Sequence, residues 1–208
     1  MADVAAAPPR VKPEGGPPAG GPPVIPEFDV VPLRLLIFPV IVFGALIAAI
    51  LDGGLFGLQF MHVVFGAAWT IVDLFMGFII GPIMGGMTVQ SRIELTAKLM
   101  PKMVVILPTL VTATLAAGWQ LGITMGTVDS GYVNHNWMVA SYIVVGIMAI
   151  VALGLLEPAN IAVLIELKKE RPDPAVIQRL MKRFIYTSGI TGAMQIATLL
   201  IMVKIATG

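Results

Sequence analysis

The sequence predicts an all-α integral membrane protein, a bundle of five transmembrane helices. Three observations lead to this fold class: the chain contains five apolar segments, 57% of its residues are hydrophobic, and only 12% are charged. About 20 helical residues span the hydrocarbon core of a bilayer, and soluble domains average about 25% charged residues. A chain of 208 residues with this composition is expected to form one membrane domain.

The chain begins with a segment rich in Pro, Gly and Ala at 1–32. It lacks the apolar core of a signal peptide and has no hydrophobic periodicity, so we predict a disordered cytoplasmic arm. Two roles are open for this segment: a solvated tail, or an arm that docks on a partner protein.

The first transmembrane helix is predicted at 33–51, because the turn-forming residues Asp52-Gly53-Gly54 follow this apolar run. Four further helices are predicted to form a membrane core at 52–208. Their bounds follow from the apolar runs at 60–80, 103–123, 138–156 and 184–203.

Two prolines bear on the ends of these helices. The second helix is predicted to close near Pro82, with an amphipathic extension to about Leu99 as an alternative. The fourth is predicted to break at Glu157-Pro158, where it either ends at the cytoplasmic boundary or continues as a kinked helix.

The distribution of cationic residues predicts the topology. Lys and Arg concentrate in the arm and in loops 85–102 and 166–183, whereas loops 52–59 and 124–137 contain none. Cytoplasmic loops of membrane proteins carry the excess of Lys and Arg. We therefore expect a cytoplasmic N-terminus and an external C-terminus.

One face of the second helix carries its polar residues. At about 100° per residue, His62, Gly66, Trp69, Asp73 and Gly77 fall on a single stripe. Polar groups in a membrane segment are costly unless they face protein, water or a ligand. The stripe is therefore predicted to face the interior of the bundle.

Composition excludes several classes of function. The absence of Cys rules out disulfides, thiolate nucleophiles and Cys-ligated metal centres, and a net charge of +1 gives no reason to expect a nucleic-acid partner. The sequence contains no Gly-rich phosphate loop and no Ser/His/Asp set. We accordingly assign no catalytic residue and lean against an enzyme.

His62 has three interpretations. It is a structural histidine bonded to a neighbouring helix, an axial ligand of haem b, or a ligand of copper. For haem, the second ligand is expected to be His135, which is predicted on the same side of the membrane, or a methionine such as Met61, Met125 or Met138. Met61 is also the predicted partner of His62 for copper, and Gly66 and Trp69 would line the haem pocket.

The predicted core also contains other polar residues. Asp73 is interpreted as a proton-relay or cation site, or as a protonated carboxyl group bonded across helices. In the fifth helix Ser188, Thr191 and Gln195 form a stripe that either holds helices together or lines a polar pathway facing Asp73. Glu157, near the inner end of the fourth helix, is the remaining candidate among the intramembrane polar residues.

Segments two to five resemble the four-helix core of the CopD-like membrane superfamily, which includes copper-resistance domains and protoporphyrinogen oxidases of the HemJ type. The resemblance covers residues 58–205. Its motif residues are Met61-His62-Val63-Val64 with Trp69, Gly118-Trp119 at the end of the next helix, and Trp137 opening the one after it.

The resemblance implies a helical bundle in which His62 binds haem b or copper, in a bacterial plasma membrane. HemJ-type enzymes also use a Lys early in the third core helix. The corresponding region here, 137–142, contains no Lys, which argues against that activity.

The leading expectation is an accessory or electron-carrying subunit of a membrane redox complex, with His62 as haem ligand. The first alternative is a copper or proton-coupled transporter that uses His62, Met61 and Asp73. The second is a porphyrin or quinone oxidoreductase. The expected partners are the lipid bilayer and either other membrane subunits or further copies of the chain.

Overall fold

The structure, a computed structural model, describes residues 24–207, and that part of the chain contains helices and no strand. Five helices are long and apolar enough to cross a membrane, as the sequence predicted. They are α1 (Leu33–Asp52), α2 (Leu55–Gly86), α3 (Val89–Thr124), α4 (His135–Leu167) and α5 (Pro174–Thr207).

The helices extend well beyond the predicted apolar runs, because amphipathic turns at their ends pack against one another. The predicted extension of α2 to Leu99 is wrong. The backbone turns to an extended conformation at Met87 and Thr88, and the Thr88 hydroxyl accepts a hydrogen bond from the Ser91 N–H at 3.2 Å. This N-cap starts α3 as a separate helix.

Two helices pass through a proline without ending. In α2 the turns at Phe75–Ile80 widen to a π-helix just before Gly81-Pro82, and in α4 the turns at Ala152–Leu156 do so just before Glu157-Pro158. Proline lacks an N–H and its ring crowds the preceding turn, and a wider turn relieves both problems. Of the two predicted courses of the fourth helix, the structure has the one that continues past Glu157-Pro158, and α4 runs to Leu167 rather than ending at 156.

The central helix of the bundle is α3, which packs against α1, α2 and α4. Helix α5 closes the bundle by packing on α2 and α4, whereas α1 lies at the edge. Helix α1 uses a small cluster of its own against α2 and α3, which includes Leu46, Leu58 and Ala113. The apolar side chains that remain on the outside are large and numerous, among them Phe56, Ile150 and Leu200. This pattern is typical of a multi-pass membrane protein.

Helices α2 and α5 cross where Gly77 of one helix meets Gly189 of the other. A Cβ atom added to Gly77 would overlap the backbone of Gly189, and one added to Gly192 would lie 2.9 Å from the Leu74 side chain. Small residues allow membrane helices to approach closely enough for direct backbone packing. This crossing brings the polar residues of the two helices together.

Residues 24–32 lie against the bundle without forming a helix. The backbone of Val24 exchanges two hydrogen bonds with the Gln90 side chain, and Lys168 donates to the Phe28 carbonyl oxygen at 2.8 Å. This end of the predicted arm is thus attached to α3 and α4. The rest of the prediction, for 1–23, lies outside the described residues.

Candidate functional site in the membrane core

A buried carboxyl group lies at the contact of α2 and α5. Ser188 donates to Asp73 Oδ1 at 2.7 Å, while Thr191 and Gln195 donate to Oδ2 at 3.0 and 3.2 Å. Asp73, Ser188 and Thr191 have no solvent-exposed surface, and Gln195 is 3% exposed. The α5 stripe thus faces Asp73 and joins α5 to α2 by hydrogen bonds, a geometry that both interpretations of the stripe allow.

Helical spacing explains why these residues meet. Positions 188, 191 and 195 repeat at intervals of three and four, which places their side chains on one face of α5. Trp69 lies one turn before Asp73 on α2, and both residues line the same small cavity. The site therefore draws on a single face from each helix.

The residues around Asp73 can form hydrogen bonds with both its ionised and its protonated form. An ionised carboxylate can accept all three hydrogen bonds. The hydroxyl of Thr191 has only one hydrogen, and it also lies within 3.1 Å of the Thr187 and Ser188 carbonyl oxygens, which can accept that hydrogen instead. A protonated Asp73 can then donate to Thr191. It can also donate to Gln195 after an amide rotation, since Gln195 Oε1 is buried without a partner among the described residues.

A second carboxyl group lies nearby. Asp73, Trp69 and Glu157 line a common cavity of about 10 Å³, which Pro108 of α3 also borders. A cavity of about 10–15 Å³ holds one water molecule. Glu157 accepts a hydrogen bond from Asn160 Nδ2 at 3.3 Å. Sequence reasoning treated Glu157 and Asp73 separately, because nothing in their spacing shows that they line one cavity.

His62 is used in packing. Its Nδ1–H donates to the Thr114 carbonyl oxygen at 2.9 Å, and its ring lies on Gly118, where a Cβ atom would be 2.5 Å from Nδ1 and 3.4 Å from Nε2. The Nδ1 edge of the ring thus faces α3. Gly66 also faces α3, since its Cβ position lies 3.2 Å from the Thr114 methyl group.

The hydrogen bond of His62 uses Nδ1, and metal-ligating histidines commonly donate from one ring nitrogen while the other binds the metal. The haem and copper interpretations of His62 therefore stay predictions. The predicted partners of His62 are placed apart in different surroundings: His135 donates to the Asp129 carbonyl oxygen in a loop, and Met61 is buried against α1. Met125 is 53% exposed, whereas Met138 is buried near Gly122. Within residues 24–207, no group of three or more His, Asp and Glu side chains is arranged to hold a metal ion.

A substitution separates the structural and ligand interpretations of His62. We expect His62→Ala to lower the free energy of unfolding in detergent by about 1–2 kcal/mol, because one hydrogen bond and the packing on Gly118 are lost. Thermal unfolding of the purified variant measures this effect, with His135→Ala as the control. A Soret band in the parent protein that disappears only in His62→Ala would contradict the structural interpretation.

No family model matches this chain, and neither a curated protein nor a solved structure shows significant similarity to it. The resemblance to the CopD-like superfamily therefore stays a prediction.

Proposed function

We propose that this protein is a multi-pass membrane protein that binds and releases a proton at Asp73 as part of proton-coupled transport. The observation that carries the proposal is the convergence of Ser188, Thr191 and Gln195 on a fully buried carboxyl group. Intramembrane carboxyl groups are expensive, and proton relays of pumps and transporters are built from them.

The surroundings of Asp73 support proton exchange rather than a permanent charge. The hydroxyl of Thr191 and the amide of Gln195 can change their roles as the proton arrives or leaves, so neither state leaves the carboxyl group without partners. A fixed ion pair would need a cation, and the described residues contain only one ion pair, between Lys169 and Glu166.

Glu157 supplies a second carboxyl group that can bind the proton. A water molecule in the shared cavity would accept a proton from one carboxyl group and give one to the other, ionised group. The path then runs from the contact of α2 and α5 toward α4, where Asn160 holds Glu157. Two carboxyl groups on separate helices allow a proton to move across the bundle.

The geometry gives less support to the redox-complex subunit and the copper carrier. Both assign His62 a ligand role, and the observed contacts of that side chain are a hydrogen bond to Thr114 and packing on Gly118. The proton-coupled alternative retains Asp73 and does not require His62.

The most direct test follows protonation itself and needs no knowledge of the transported substrate. Infrared difference spectra of the purified protein between high and low pH are expected to show a carboxylic acid band. The contribution of Asp73 to that band is expected to be absent in Asp73→Asn.

The proposal includes an orientation, with the arm and the basic loops on the cytoplasmic side of a bacterial plasma membrane. Since the chain has no Cys, single-cysteine variants report topology cleanly. We expect Val133→Cys, at a position 88% exposed, to react with an impermeant maleimide in intact cells. We expect Glu170→Cys, also at an exposed position, to react only after the membrane is opened.

The parent chain is the control for background labelling. Reaction of the Glu170→Cys variant in intact cells, with Val133→Cys protected, would reverse the orientation.

A further inference from the structure

A wide groove opens beside the crossing of α2 and α5. It has a volume of about 770 Å³ and is bordered by the second half of α2, the start of α3 and the first half of α5. Binding sites for small molecules commonly enclose about 300–1,000 Å³. The groove does not include Asp73 or Glu157 and is distinct from the buried polar site.

The contacts that a Cβ atom would make at three glycines of α2 show how the groove widens. At Gly77 the two backbones touch, and at Gly81 a Cβ atom would meet the Ile185 side chain at 2.6 Å. At Gly85 a Cβ atom would meet nothing within 4 Å. The helices therefore diverge from the crossing toward the end of α2, and the space between them has the shape of a wedge.

The walls and the wide end differ in chemistry. Apolar side chains such as Phe78, Ile93 and Ile190 line the wedge, whereas two cations border it, Arg92 from α3 and Lys182 from α5. No carboxylate is among the residues that border the groove. The Arg92 Nε–H donates to the Met87 carbonyl oxygen at 3.0 Å, which holds the guanidinium group at the start of α3.

We propose that this groove binds an anionic phospholipid of the surrounding bilayer, with an acyl chain in the wedge and the phosphate group between Arg92 and Lys182. Arginine binds phosphate oxygens in pairs, and basic pockets between transmembrane helices recognise anionic head groups. An apolar wall with two cations and no bordering carboxylate matches an anion attached to a long apolar chain. The site is independent of proton binding at Asp73.

Charge complementarity favours a lipid over the other occupants. Residues 1–23 contain two basic and two acidic residues, so this segment offers no excess negative charge to the two cations. A second copy of the chain would have to present a carboxylate on an apolar helix face. An anionic phospholipid provides both parts in one molecule.

The proposal is tested with the full chain purified in mild detergent and freed of lipid. Native mass spectrometry then compares the binding of dioleoyl phosphatidylglycerol with that of dioleoyl phosphatidylcholine. We expect the anionic lipid to bind roughly 25-fold more tightly, since each of the two cations contributes about fivefold in affinity.

Two pairs of variants locate the site. The double variant Arg92→Gln/Lys182→Gln is expected to remove the preference for the anionic lipid. The control Lys98→Gln/Arg179→Gln makes the same charge change on the same helices, at exposed positions outside the groove. Gly85→Phe is expected to fill the wedge and weaken both lipids, whereas Gly146→Phe, at a glycine of α4 with equally open space, is expected to change neither.

Equal binding of the two lipids by the parent chain would overturn the proposal, as would a preference that survives Arg92→Gln/Lys182→Gln. Binding that rises when residues 1–23 are removed would assign the groove to that segment instead. Thermal unfolding of each variant shows whether it is folded.

Discussion

Replacing Asp73 with Asn is expected to abolish proton binding in the membrane core while leaving the bundle folded. The Asn side chain has the same shape, and its oxygen can still accept from the hydroxyl of Ser188. Its amide group can donate to the oxygen of Thr191 or Gln195. The amide does not ionise, so the site keeps its hydrogen bonds but no longer binds and releases a proton.

The measurement is infrared difference spectroscopy between high and low pH, followed by proton movement into proteoliposomes under an imposed gradient. We expect the carboxylic acid band of Asp73 to vanish completely in Asp73→Asn. Asp129→Asn, which removes a carboxyl group from the loop between α3 and α4, is the matched control. A difference spectrum of Asp73→Asn identical to that of the parent chain would refute the proposed function.

Asp73→Leu provides a second check with a different expected result. It leaves Ser188, Thr191 and Gln195 buried around an apolar side chain. Unpaired buried polar groups cost about 1–3 kcal/mol each, so this variant is expected to be much less stable than Asp73→Asn. Thermal unfolding in detergent compares the two.

Replacing Gly77 with Leu is expected to have the largest effect on the fold. Even a single added carbon at this position overlaps the backbone of Gly189, and a backbone cannot rotate away as a side chain can. Helices α2 and α5 must then separate, which costs about 3 kcal/mol or more. Separation also withdraws Ser188 and Thr191 from Asp73.

Size-exclusion chromatography and thermal unfolding in detergent measure this effect. Gly146→Leu is the control, because a Cβ atom at Gly146 meets nothing within 4 Å. We expect Gly77→Leu to yield little monodisperse protein and Gly146→Leu to behave as the parent chain does. Equal behaviour of the two variants would show that the crossing at Gly77 and Gly189 is not needed for assembly.

The number of helices and the inward faces of the second and fifth helices were predictable from the sequence. Apolar runs determine the count, and the spacing of Trp69 and Asp73 determines the face, because both signals are local. The same holds for the α5 stripe of Ser188, Thr191 and Gln195. In the structure these residues are buried at helix contacts.

Features that depend on contacts between distant segments were not predictable. The cavity shared by Asp73 and Glu157 arises where α2, α3 and α4 border one space, and the groove beside the crossing arises from the divergence of α2 and α5. The role of His62 depends on Gly118, a residue 56 positions away whose missing side chain admits the ring. The helix ends were also missed, because the terminal turns are amphipathic and hydropathy detects only the apolar middle.

The widened turns before Pro82 and Pro158 have a consequence for the angular phase of the helices. A π-helical turn contains one residue more than an α-helical turn, and each residue advances the side-chain direction by about 100°. In α2 the extra residue rotates Gly81 and Gly85 relative to Trp69 and Asp73. One helix can thus present its polar residues to the core from one half and its glycines to the groove from the other. A single-residue deletion within Phe75–Ile80 would rotate Gly81 and Gly85 relative to Trp69 and Asp73, although no side chain beyond the deletion is changed.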